Sequence, residues 1–303
     1  MKGKLSKNKY SLKKSKFGYW QIHPIPSQDY LENFYKKKYY SKVKKGGGSR
    51  EAKLLSRGSK VRDIEIAWLK KTYFLDRLDI LEKFLPKPPK RVLDVGCGSG
   101  EFIEFMKDSG WQAVGIEPSL DVFHEAQSNG LKVHNVSLER LLPSGHEGEG
   151  SFGAVVLSNL LEHMRDPEET LYIVRKLLKP QGLLCVEVPN EFNLLQNYAS
   201  KKVNKKKWWI TIPDHINYFD FTSLKKLLKH CGFESLVSTT DFPMELFLLM
   251  GENYVDNPSI GKRCHKKRIE FETSVPKELR RNLYSKLSEL GLGRQCIIYA
   301  RKI

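Results

Sequence analysis

The feature that most limits this chain is one strand-to-helix turn, the run RVLDVGCGSGEF over 91–102, where three glycines alternate with small residues directly after a buried apolar stretch. Glycines at that spacing permit a tight turn, let backbone amides approach a ligand closely, and place a helix N-terminus behind them. A dinucleotide fingerprint requires G-x-G-x-x-G, and its third glycine would fall on Glu101. Asp94, two residues before Gly96, would repel a pyrophosphate and suits a ligand bearing ammonium or sulfonium charge. The turn therefore excludes the common redox coenzymes and favours a cationic partner.

From the turn onward, strand and helix patterns alternate, which predicts an α/β fold with a parallel sheet and crossover helices. Strands are expected near 91–95, 112–116, 131–134, 153–158 and 182–188, with helices near 99–109, 119–128 and 167–179. A further helix over 223–231 precedes a strand near 234–241, and a last strand falls at 296–300. Between those two strands, 242–294 is longer than an ordinary connection and reads as an insertion on the substrate side. Upstream, an amphipathic helix is expected over 63–85, its face traced by Ile64, Trp68, Leu75, Leu78, Leu81 and Leu85.

The 303 residues carry a net charge of +17, and 1–62 hold +15 of it, with 18 Lys and Arg against Asp29, Glu32 and Glu51. This front segment is read as a basic, partly disordered extension: disorder over 1–16, a short docking helix within 22–40, and a linker at Gly46-Gly47-Gly48. The remaining domain runs from 63 to 303. Fifteen of the 18 basic residues are Lys, which gives diffuse, weak and nonspecific attraction to nucleic acid. Five scattered cysteines, none in a C-x-x-C pair, disfavour a disulfide framework or structural zinc and fit a reducing cytoplasm. No window approaches the roughly 20 apolar residues that a membrane-spanning helix needs.

Three segments in register, VLDVGCGSGEF, VGIEPS and SNLLEHMRDP, resemble the class I S-adenosylmethionine-dependent methyltransferases, over about 91–188. The likeness extends to the ubiquinone-type O-methyltransferase and nucleotide-sugar C-methyltransferase branches. It implies a Rossmann-like sheet of seven strands in the order 3-2-1-4-5-7-6, the last antiparallel, with helices on both faces. S-adenosylmethionine would be the cofactor. By the resemblance, Asp94, Gly96 and Gly98 line its methionine part, Glu117 holds the ribose, Ser137 borders the adenine, and Asn159 lies beside the amino-acid end. In metal-dependent relatives an E-x-x-E-H run supplies ligands; here its first position is Asn159, ahead of Glu162 and His163, so no bound metal is expected.

His215 is the candidate base, in a segment similar to the acidic-His-x-x-Tyr-Phe stretch of the sugar enzymes, with Asp214 as a neighbouring carboxylate. The sugar enzymes also carry an N-terminal zinc domain built on cysteines, whereas this chain has no Cys before Cys97. The run IHPIPSQDYLENFYKKKYY is similar to the front piece of methyltransferases of surface-polysaccharide assembly, which points to a small-molecule or glycan-linked acceptor. Lys262, Arg263, Lys266, Lys267 and Arg268 form either a phosphate clamp or a solvated helix face. Two other functions fit the same features: methylation of nucleic acid, and cofactor binding without catalysis.

Overall fold

The computed structural model describes residues 10–34, 60–85 and 90–303. The glycine run at 46–48 and the first nine residues lie outside them. A seven-stranded sheet forms the centre. Its strands are β3 (Arg91–Val95), β4 (Gln112–Ile116), β5 (Val133–His134), β6 (Phe152–Ser158), β7 (Leu178–Pro189), β9 (Phe233–Thr239) and β10 (Gln295–Lys302). They lie in the order β5-β4-β3-β6-β7-β10-β9, with β10 antiparallel to both neighbours. Counted within this sheet the order is 3-2-1-4-5-7-6, as expected.

Both faces of the sheet are covered, so its inner strands are continuous apolar runs rather than alternating ones. Leu93, Val155, Leu157, Leu184 and Val186 pack on one side, with Leu171 and Val174 of helix α7 (Pro167–Leu177) and Leu224 and Leu227 of α9 (Phe221–His230). Val92, Ala154, Val156, Leu183 and Cys185 pack on the other, against Trp68, Phe74, Leu78 and Leu81. The start of α7 is fixed by Asp166, whose Oδ1 accepts from the backbone amides of Glu168 and Glu169, each at 3.0 Å, ahead of Pro167. The start of α9 is closed by a reciprocal pair between Asp220 and Ser223.

The helix expected over 63–85 is α2 (Lys60–Leu69) and α3 (Leu75–Phe84), joined by a π turn at Lys70–Phe74. Trp68, on the first helix, and Leu81, on the second, are buried, while Ile64, near the start of the first, is exposed.

The expected disorder over 1–16 does not hold at its C-terminal end. Strand β1 (Ser11–Lys14) turns through Gly18, φ +99°, into β2 (Trp20–His23). Strand β2 then pairs with the short β8 (Asn217–Tyr218) in a second, three-stranded sheet. Two buried apolar anchors offset the polar composition: Tyr19, whose ring lies 4.6 Å from that of Phe219, and Ile22, which packs with Leu31, Ile216 and Tyr218. Leu31 belongs to helix α1 (Gln28–Phe34). Three helices occupy the long connection between β9 and β10: α10 (Glu245–Leu249), α11 (Pro258–Ser274) and α12 (Lys277–Glu289).

Candidate active site

The glycine turn leaves the C-terminal end of β3, where open α/β sheets bind ligands. The amides of Gly96 and Cys97 donate to the Ile116 carbonyl at 2.9 and 3.1 Å, tying the turn to the end of β4. Gly96, Gly98 and Gly100 all have positive φ, at +73°, +57° and +91°. They serve different ends. A Cβ at Gly100 would sit 2.3 Å from Leu131 Cδ1, whereas one at Gly98 would meet nothing within 4 Å. Gly100 thus lets the next helix, α4 (Glu101–Asp108), pack closely, and Gly98 faces open space where a ligand can approach the backbone.

Glu117 is held in place by backbone amides: its carboxylate accepts from Gly98 N at 3.2 Å and Ser119 N at 2.8 Å. Its own carbonyl accepts from Asn135 Nδ2 at 2.8 Å, which draws in the loop after β5. Ser137, two residues on, is the N-cap of α6 (Leu138–Leu141). Asp94 is buried. Burial, supplemented by Glu117, Glu101 and Glu187 and opposed by Arg77, pushes its carboxyl up to about 7. Arg77 of α3 reaches beneath the turn to Glu187 Oε2 at 2.8 Å, both side chains buried. It was missed in the sequence, where its signal is one arginine on an otherwise apolar helix face. Asn159, φ +49°, ends β6; its amide donates to the Glu187 carbonyl at 2.8 Å and its Oδ1 accepts from Gln295 Nε2 at 3.2 Å. Asp94, Gly96, Gly98 and Glu117 therefore share one wall. Asn159 joins it through Glu187, and Ser137 through the loop held by Asn135.

A second cluster lies at the ends of β6 and β7. His215 is half-buried, its ring 5.0 Å from that of His163 and nearly perpendicular to it. Burial, with His163 beside it, lowers the His215 imidazole to about 3, and its Nδ1 has no hydrogen-bond partner among the described residues. Asp214 does not serve His215 as the sequence suggested. Its carbonyl accepts from His163 Nδ1 at 2.7 Å and its carboxylate lies 3.8 Å from the same nitrogen. Glu162, His163 and His215 bring one potential metal-ligand atom each within 4.8 Å of one another, while the Asn159 side chain is turned to Gln295. This gathering was not expected from the sequence. Trp20, Phe192 and Trp209 stand beside it, with Phe192 5.9 and 5.8 Å from the two indoles. The signal for Trp20 was absent locally, because its strand pairing spans the chain.

Of the basic cluster on α11, Arg268 is buried against Asp241 and Glu272, and Arg263 and Lys267 engage Glu252. Arg268 is thus committed to the fold, and Lys262 and Lys266 lie exposed.

An α/β sheet of this order, with a glycine turn and an acidic side chain ending the second strand, defines the methyltransferase class of nucleoside-cofactor folds. The chain belongs to the methyltransferase domain family, whose model matches residues 68–238. The ubiquinone biosynthesis O-methyltransferase of Xanthomonas oryzae pv. oryzae (strain PXO99A) is 35% identical over 118 residues, 38% of this chain and 49% of that protein. That of Chromobacterium violaceum is 35% identical over 112 residues, 35% and 47% of the two chains. The chain thus spans about half the length of these curated relatives. Among solved structures, a SAM-dependent methyltransferase from Archaeoglobus fulgidus superposes with TM-score 0.52 at 22% identity, covering 88% of this chain and all of that one. The 1,6-didemethyltoxoflavin-N1-methyltransferase of Burkholderia thailandensis, which holds S-adenosylhomocysteine, gives 0.51 at 15% identity and covers 97% and 99%. These structural likenesses establish the fold. No helix among the described residues is long and apolar enough to cross a membrane.

Proposed function

We propose that the protein binds S-adenosylmethionine at the glycine turn and catalyses transfer of its methyl group to a small-molecule or glycan-linked acceptor in the cytoplasm, in surface-polysaccharide assembly. The carrying observation is the pairing of Gly98, open to a ligand, with the buried Asp94 carboxyl, which gains a counter-charge from a cationic ligand. Asp94, Gly96 and Gly98 take the methionine part, Glu117 the ribose hydroxyls, the Ser137 segment borders the adenine, and Asn159 lies at the amino-acid end. The bound cofactor supplies an alkyl group already activated for in-line displacement. The protein aligns the acceptor, excludes water and holds its proton. His215, with its unpartnered Nδ1, is the candidate to receive that proton; burial disfavours its imidazolium in the empty protein, so the role requires the bound acceptor to raise its basicity.

Titration of the full chain with S-adenosylhomocysteine tests the first step, and absence of both heat and thermal shift at millimolar ligand removes the proposal. His215→Ala is expected to abolish labelled-methyl transfer to extract fractions while S-adenosylhomocysteine still binds. The approach of Glu162, His163 and His215 favours a second reading in which a divalent cation orients the acceptor and His215 is its ligand. Loss of turnover in EDTA with recovery in Mg²⁺ or Mn²⁺ would select it; full turnover after chelation would leave His215 as the base.

A further inference from the structure

Beyond Asn159 the site continues into a group of buried polar atoms that the fold does not pair. Gln295, 8% exposed, is fixed on three sides. Its backbone amide donates to Asp241 Oδ1 at 2.9 Å, its carbonyl accepts from Thr240 Oγ1 at 2.6 Å, and its Nε2 donates to Asn159 Oδ1 at 3.2 Å. Its Oε1 has no donor among the described residues. Glu245, the first residue of α10, is 3% exposed, and its Oε2 likewise has none. Glu191, just past β7 and 5% exposed, accepts from Gln196 Nε2 at 2.8 Å.

These side chains form one electrostatic neighbourhood. Arg294, adjacent to Gln295 and exposed, acts on both Glu191 and Glu245, and the two carboxyls act on each other. Burial pushes Glu191 up to about 8, against the Gln196 hydrogen bond, and raises Glu245 against the pull of Arg294.

A buried polar atom without a partner is costly, so two such oxygens, one of them on the side chain bonded to Asn159, call for an external partner. The chemistry of that partner is restricted. The amide oxygen of Gln295 accepts hydrogen bonds and cannot donate them. Carboxyls already held up by burial would be raised further by an added anion, and are relieved by a hydroxyl or an ammonium. We propose that Gln295, Glu245 and Glu191 form the acceptor-recognition pocket, and that the acceptor presents O–H or N–H groups there and no phosphate or carboxylate at that depth. This rests on the methyltransferase reading, since the hydrogen bond from Gln295 to Asn159 sets the pocket beside the cofactor's amino-acid end.

The full chain, saturated with S-adenosylhomocysteine, would be titrated by calorimetry with myo-inositol, ethanolamine and inorganic phosphate. Binding of myo-inositol or ethanolamine without phosphate is expected, and whichever binds tells a hydroxyl from an ammonium acceptor. Glu245→Gln, nearly isosteric, and Gln295→Leu should each weaken that probe about tenfold, and Glu245→Gln should leave S-adenosylhomocysteine affinity unchanged. Phosphate binding as well as the donor probes, no binding of either donor probe, or unchanged probe affinity in both variants would overturn the assignment. So would weaker S-adenosylhomocysteine binding in Glu245→Gln, because the pocket would then belong to the cofactor. Failure of the wild-type chain to bind S-adenosylhomocysteine at all is a separate result and counts against the methyltransferase reading itself.

Discussion

The two ends of the candidate site are built differently. At the cofactor turn three carboxylates are held by the fold itself, Asp94 being the one left to a ligand: both Glu117 oxygens accept from backbone amides, Glu101 is engaged by Ser99 and Arg62, and Glu187 by Arg77. At the acceptor end Gln295 Oε1, Glu245 Oε2 and His215 Nδ1 have no partner among the described residues. The turn is also local, with Gly98 and Glu117 only 19 positions apart, whereas Gln21 bonds Asn217 across 196. A cradle whose carboxylates, Asp94 apart, are held by the fold suits a cofactor that is always the same. Unsatisfied atoms gathered from distant segments suit recognition, because their hydrogen bonds are completed by the molecule to be recognised.

The strongest way to break this contrast is to remove the internal compensation at the cofactor end. Arg77→Met takes the guanidinium away from the buried Glu187 carboxylate and removes the positive charge that acts on Asp94. A loss of about 3–5 kcal/mol in unfolding free energy by chemical denaturation is expected, the range for breaking a buried pair on one side. Stability within about 1 kcal/mol of the parent would mean that the pair contributes no more than an exposed ion pair.

The next substitution acts on the acceptor end alone. Ile22 is fully buried between the N-terminal hairpin and the segment bearing His215, and its amide donates to the Ile216 carbonyl at 3.0 Å. Ile22→Ala removes packing worth about 2–5 kcal/mol from that junction. Methyl transfer should fall while S-adenosylhomocysteine affinity is retained, in calorimetry and turnover assays run on the same preparation. Equal losses in both would show that the ends behave as one cooperative unit.

The same contrast explains what the sequence disclosed. The turn, the acidic end of β4 and the sheet order were legible because each is carried by residues close in sequence, with glycine and capping chemistry as punctuation. The hairpin was not legible. Its pairing with Asn217 and Tyr218 is long-range, and the surrounding lysines hide the two anchors, Tyr19 and Ile22. Asp214 illustrates a second limit: adjacency in the chain to His215 implied a working pair, yet the carboxylate and carbonyl both turn to His163. The basic run on α11 shows a third, since five cations on one helix read as a single face until burial separates Arg268 from the rest. In each case the missing information was the direction of a side chain set by a distant element.

The mildest expected effect concerns the charge at the cofactor end. The Asp94 carboxyl is raised to about 7 by burial, with Glu117, Glu101 and Glu187 adding to the rise and Arg77 opposing it. Below that pH it is largely neutral and offers little to a cation; above it the carboxylate is formed and attracts one. Affinity for S-adenosylmethionine should therefore increase with pH, by about tenfold between pH 6 and 8, one unit of coupling. The empty protein should behave in the opposite sense. Because the folded value lies above that of the unfolded chain, the native state holds the extra proton, and its stability declines as pH rises through 7. Asp94→Asn has no proton to lose and should bind the cofactor with an affinity nearly independent of pH over that interval. Calorimetric dissociation constants for both proteins at pH 6, 7 and 8 decide the matter: parallel slopes would assign the titration to another group and leave Asp94 without a charge-selecting role.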